Sequence, residues 1–159
     1  MKSKWLKGIS LFSQNRNVRR LFLALRRAFP QAVFSVAGLG RGTRFPSWID
    51  DRRVDRFSED GERQTCKIYS ESRLVIGVHG SNMLLPTAHG GMAIDLMPLD
   101  RWGNFAQDIL YPMEDLRLSA YRFRCLPSSI DVKLLAHIAE QQLRYHSYFK
   151  RQMTNEIDE

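Results

Sequence analysis

At 159 residues and 43% apolar content the chain has material for one core of ordinary size and is too short for two. Twenty-four Lys and Arg against 17 Asp and Glu give a net charge of +7, a surplus that suits a phosphate-bearing ligand, nucleic acid or an anionic surface. The basic residues are spread through the chain rather than gathered in a tail, and the plain reading of such a pattern is a solvated basic surface. No apolar run approaches the ~18 residues of a bilayer span. No signal-peptide core follows Met1-Lys2-Ser3-Lys4-Trp5, and Cys66 and Cys125 have no partner at metal spacing. These features predict reduced thiols and a cytoplasmic protein. A single domain is expected over residues 1–153, with 154–159 a disordered acidic tail.

In chain order, Trp5 to Phe12 is compatible with a first strand, and Asn15 or Asn17 with the cap of a helix running to Phe29. Val18, Leu21, Phe22, Leu25 and Phe29 recur at helical spacing, Arg19, Arg20, Arg26 and Arg27 fill the other faces, and Pro30 ends the helix. Ala32 to Ala37 has a short buried-strand pattern, so residues 5–37 read as a β-α-β unit. A loop, Gly38 to Thr43, precedes a short strand at Val54 to Phe57 and a helix at Glu62 to Ser70. Leu74 to Val78 is apolar throughout, as a central strand buried on both faces must be. It stops at His79-Gly80-Ser81. A short helix from Asn82 to Ala88 is closed by Gly90-Gly91, and a strand from Met92 to Met97 carries Asp95 near its end. Leu99 to Gln107 reads as a loop and Leu116 to Leu126 as an edge strand. Ser128 and Asp131 resemble a capping box for a helix that buries Val132, Leu135, Ile138, Ala139 and Leu143 and frays from Tyr145 onward. The alternation predicts an α/β fold, a Rossmann-like three-layer sandwich with a mainly parallel sheet.

Strand, small-residue turn, short helix and strand with an acid is the layout of a nucleotide site in an open α/β sheet, where ligands sit beyond the carboxyl ends of the strands. The backbone N–H groups of Gly80, Ser81 and Asn82 are placed to receive a phosphate, while Ser81 as a simple helix cap explains the same turn. Asp95 is the kind of group that accepts hydrogen bonds from ribose hydroxyls. His79, at a strand end, is expected to donate to a phosphate or to the departing sugar oxygen; the plainer alternative is a histidine that closes the turn. Arg41 and Arg44 flank Gly38-x-Gly40-x-Gly42 and offer forked donors to a diphosphate, as does Arg16 upstream; a flexible basic turn accounts for them equally. His89 suits the C-terminal end of the short helix, and its spacing from His79 matches no metal site. Asp60, Asp100 and Asp108 are interchangeable candidates for a base.

His-Gly-Ser-Asn after an apolar strand, and Ile-Asp-Leu-Met-Pro after the next, resemble the donor-site signature of family 61 glycosyltransferases. There the usual reading is His-Gly-Ala-Gly, followed by a strand ending in Glu-Leu and a Pro. Ser13-Gln14-Asn15-Arg16-Asn17 is weakly similar to that family's Arg-rich loop. The likeness covers residues 10–110, with His79 to Pro98 its specific block. It implies the donor-binding lobe of a two-lobed, GT-B type glycosyltransferase. A UDP- or GDP-linked sugar would be the substrate, with no metal and no other cofactor. The acceptor would be a glycan or other hydroxyl, held by a second lobe or subunit for which this chain has no room. A noncatalytic α/β module that binds a nucleotide or RNA through Arg19, Arg20, Arg26 and Arg27 is the competing reading. Phe22 and Phe29 look committed to the core rather than to base stacking, so nucleic acid is not the expected partner.

Overall fold

The computed structural model describes residues 4–40, 44–56, 58–105 and 116–154. The chain is α/β, and every strand pair among the described residues is parallel. The strands form two small sheets, one of two strands and one of three. No helix is long and apolar enough to cross a membrane among the described residues. Contacts gather into two compact units, Met1–Thr65 with Val132–Ala136, and Cys66–Asp131 with His137–Glu159.

The first unit begins with one long helix, α1 (Lys4–Ala28). The strand expected at Trp5 to Phe12 and the cap at Asn15 or Asn17 are therefore corrected. Residues 5, 6, 9 and 12 fit a 3.6-residue period as readily as an alternating one, and nothing between Phe12 and Ser13 breaks a helix. The β-α-β unit over 5–37 reduces to this helix and β1 (Phe34–Val36). Strand β2 (Ile49–Asp51) pairs parallel with β1, Phe34 opposite Ile49. The strand expected at Val54 to Phe57 is only a bridge between Leu39 and Val54. Ile-Asp-Asp lacks an apolar alternation and so hides a strand. Its carboxylates pair with the residues two along, Asp50 with Arg52 and Asp51 with Arg53. Leu21 and Leu25 of α1 are buried, as are Phe34 and Ile49. The Phe34 ring lies 5.1 Å from that of Phe22 and edge-on to Trp48 at 6.0 Å.

Helix α2 (Glu59–Glu71) covers the expected Glu62 to Ser70 and adds an acidic first turn. In the second unit β3 (Val75–Val78), β4 (Ala93–Met97) and β5 (Phe123–Pro127) lie in that order. The central strand is thus β4, and β3 lies at an edge of the sheet. That corrects the placement of Val75 to Val78. An all-apolar run of four residues fits an edge strand under a cover on one face as well as a central one. The burial separates them: Val75 to Gly77 are half-buried and Val78 is exposed, whereas Ala93, Ile94, Asp95 and Met97 are all buried.

The strand expected over Leu116 to Leu126 is in fact α4 (Leu116–Arg122) followed directly by β5. Two short elements abut there, and their joined sequence imitates one alternating run. Leu99 to Asn104, expected as loop, forms a 3-10 helix. Helix α5 (Val132–Thr154) buries Leu135, Ala136, Ala139 and Gln142. It continues through Tyr145 instead of fraying there, because Phe149 stacks on Tyr121 at 4.4 Å. Thr154, the first residue of the expected tail 154–159, is the last of α5; residues 155–159 lie outside the described residues, as does Asp108.

Gln142 ties α5 to the α4–β5 junction. Its Nε2 donates to the carbonyls of Tyr121 (2.9 Å) and Arg122 (3.1 Å), and the Tyr121 hydroxyl donates back to the Gln142 carbonyl at 3.1 Å. Burial raises the Tyr121 phenol above its ordinary pKa, so it remains a donor. Gln142→Ala is expected to lower stability by about 2–4 kcal/mol, read from the urea midpoint, because two buried carbonyls lose their donor and a cavity remains.

Candidate functional site

The site is assembled by the crossover from β3 to β4. Register pairs Gly77 with Asp95 and Asp95 with Cys125, so these three residues share one face of the sheet. A 3-10 turn (Ser81–Met83) and α3 (Leu84–His89) cross over that face, replacing the single helix expected from Asn82 to Ala88. Buried Met83 packs there with Ala93 and Phe123. A Cβ on Gly77 would collide with the Met83 sulfur, which explains a glycine in the middle of a strand. Thr87, fully buried, donates its hydroxyl to the Met83 carbonyl at 2.8 Å and holds α3 against the turn. Gly90 and Gly91 are there for space. A Cβ on Gly90 would come within 2.7 Å of the Pro86 carbonyl, and one on Gly91 within 3.0 Å of that of Arg73.

Past Val78 the ladder continues by one bond, His79 N–H donating to the Leu96 carbonyl at 3.1 Å. This turns the His79 ring onto the Asp95 face. His79 Nδ1 lies 2.6 Å from Asp95 Oδ2, and the two side chains are 2% and 0% exposed. An ionised carboxylate only accepts, so the contact places a proton on Nδ1 and orients Nε2. The expected position of Asp95 near the strand end is corrected: it is the middle residue of β4, because the strand runs on to Met97. With no accessible surface, its carboxylate faces His79 rather than a ribose in solution.

The backbone then turns at Gly80, which holds φ 153° and ψ −178°, a conformation that L side chains rarely adopt. Gly80, not Ser81, occupies the cap position, and Met83 N–H bonds to its carbonyl at 2.8 Å. Ser81 and Asn82 are exposed at the carboxyl end of β3. His79, Gly80, Ser81, Asn82 and Asp95 are thus brought together within one unit. Arg16 and Arg44 belong to the other unit and are exposed, and Arg41 lies outside the described residues. Gly40 N–H already bonds to the Val54 carbonyl (2.9 Å), and Arg53 Nη1 donates to the Gly40 carbonyl at 3.2 Å. That stretch extends the β1–β2 ladder, so its amide at Gly40 is not presented to a phosphate. His89, Asp60 and Asp100 are exposed. No group of three His, Cys, Asp or Glu converges as a metal site among the described residues.

The sequence alone does not pair His79 with Asp95. The signal for it was present: a histidine at one strand end and an acid within the next strand of the same parallel pair. Comparison with protein-family models, with curated proteins and with solved structures finds no match.

Two substitutions separate the parts. Asp95→Ala leaves a buried donor without its acceptor and is expected to cost about 3–5 kcal/mol in urea denaturation. Gly80→Ala meets no atom within 4 Å, so its cost comes from the backbone alone, about 1–3 kcal/mol.

Proposed function

We propose that the second unit binds a nucleotide diphosphate-sugar at the carboxyl end of its sheet, as the donor lobe of a GT-B type glycosyltransferase. The architecture that belongs to this reading is a Rossmann-like three-layer sandwich. Parallel pairing of all the described strands, with a helix in each of the crossovers β3 to β4 and β4 to β5, supports it. The observation that carries the reading is the turn at Gly80. It requires glycine, lies at the end of a parallel strand, exposes Ser81 and Asn82, and is anchored from below by the buried His79–Asp95 contact.

In this reading the diphosphate lies against Gly80, Ser81 and Asn82, within the second unit. Donors fixed before the sugar departs stabilise the leaving diphosphate without reorganisation. His79 then acts chiefly as a positioning residue, since so little of its ring is accessible, and Asp95 fixes His79 instead of meeting the ribose. The acceptor hydroxyl has to be held in line with the anomeric carbon, an orientation worth about 7–11 kcal/mol. A second lobe or subunit would supply that alignment.

Calorimetry with UDP, GDP and their sugars tests the reading. Binding tighter than about 1 mM is expected, weakened by Gly80→Ala and by His79→Ala together with lost stability. No binding of any of these ligands at that concentration overturns it. The chain by itself is expected to transfer no sugar, and robust transfer would show that no second lobe is needed. In a complete enzyme His79→Ala should weaken donor affinity along with turnover. A turnover loss with donor affinity intact would instead give His79 the leaving-group role suggested by its place in the sequence.

A further inference from the structure

The basic residues are spread along the chain, but the acidic ones are not. Residues 1–49 contain ten Lys and Arg and not one Asp or Glu, whereas residues 50–159 carry 14 basic and 17 acidic groups. The whole positive surplus therefore resides in the first 49 residues, and the remainder is net negative. Much of it lies on α1. Arg16, Arg19, Arg20, Arg26 and Arg27 are all exposed, with Leu23, 47% exposed, in their midst. At 100° per residue these six positions fall within roughly 120° of arc, and Arg16 and Arg27 stand about 16 Å apart along the axis. Leu21 and Leu25, on the opposite side, are buried. Arg26 lies over the Trp48 ring at 4.7 Å. No carboxylate pairs with Arg16, Arg19, Arg20 or Arg27 among the described residues.

We propose that this arginine face of α1 docks the protein on the surface of an anionic phospholipid bilayer. The assignment does not depend on the donor-site reading. Charge complementarity selects a polyanion, since a helix face with five guanidinium groups and no acid is repelled by nothing on such a partner. Two observations favour lipid over nucleic acid. The unpaired apolar side chain among the arginines is an aliphatic leucine, which gains by entering the headgroup region but offers nothing to a phosphodiester backbone. And Phe22, Phe34, Phe45 and Trp48 are engaged with one another or beneath Arg26 and Arg53, so these four rings offer no platform for base stacking. Because the apolar side of α1 is committed to the protein core, the helix lies on the surface and does not insert. Attachment is therefore electrostatic and salt-sensitive.

Co-sedimentation of the chain with phosphatidylcholine vesicles, with and without phosphatidylglycerol, tests this. Sedimentation only with the anionic vesicles is expected, reversed at about 1 M salt. Replacing Arg19, Arg20 and Arg27 together by Gln should weaken it about a hundredfold, at some fivefold per charge. The Arg→Lys version of the same three positions keeps the charge and should keep the binding. Leu23→Ser should weaken it severalfold at constant charge. Circular dichroism of each variant checks that the helix persists, and the salt and lipid dependence of the unaltered chain stands even if one variant fails to fold. Equal sedimentation with neutral vesicles, none with anionic ones, or a glutamine variant that binds unchanged overturns the proposal. Tighter binding to duplex DNA or RNA than to anionic vesicles at the same salt reassigns the face to nucleic acid and overturns it likewise.

Discussion

A carboxylate without accessible surface has to be met by a donor held in place for it, and in this chain much of the second unit follows from that requirement. Asp95 sits in the middle of the most buried strand, and the donor is the ring of His79 at 2.6 Å. For the ring to reach it, β3 has to end at Val78 and the chain has to double back over the sheet. Gly80 supplies the backbone conformation for that reversal, and Gly77 leaves the space into which Met83 closes above. Isolated carboxylates are costly to bury, and removal of one partner from a buried pair is far more damaging than loss of an exposed ion pair. The contrast with Arg63 and Glu59, a solvated pair on α2, is one of environment rather than of distance.

The first unit solves its problem differently. Its core is small, with buried Leu21, Leu25 and Ile49 around Phe34, whose ring meets those of Phe22 and Trp48. Its buried charge, Arg53, is satisfied within the β2 segment by Asp51, and the same guanidinium covers the Phe45 ring at 4.5 Å. That arrangement fixes the glycine-containing stretch at Gly38 and Gly40 as ladder. A spacing that resembles a phosphate loop thereby becomes part of a strand pair.

What the sequence made legible was decided by how far each signal extends along the chain. The segment from Leu74 to Pro98 was readable because strand, turn, helix and strand each leave a mark within a few residues, and Gly77, Gly80, Gly90 and Gly91 punctuate it. The parallel α/β character followed from that alternation. Sheet order was not readable, since nothing in Val-Ile-Gly-Val states how many neighbours the strand has; the position of β4 at the centre is a tertiary fact. Local pattern also failed where two periods coincide. Residues 5–12 fit strand or helix, and the boundary between α4 and β5 disappears in one mixed run. Strand β2 was hidden because its two carboxylates pair with arginines two positions along, which leaves no apolar alternation in the sequence. At the site, the residues were identifiable one by one, but the pairing of His79 with Asp95 depends on register, and register is set by the partner strand.

That same register has a consequence for how reliably the sheet pairs. Side chains alternate between faces along a strand, so sliding β4 by a single residue against β3 would carry Asp95 to the opposite face, among Ile76 and Val78, and leave His79 facing an aliphatic neighbour. Short parallel strands of Val, Ile, Ala and Leu offer little to distinguish one alignment from the next, because an apolar residue replaces an apolar residue. The hydrogen-bonded couple removes that degeneracy: the shifted alignment buries a carboxylate away from the His79 ring, at an effective cost of several kcal/mol, while the native one does not. His79 and Asp95 thus act as a key for strand alignment, rejecting mispaired forms of the chain while it folds, whatever ligand the finished turn receives.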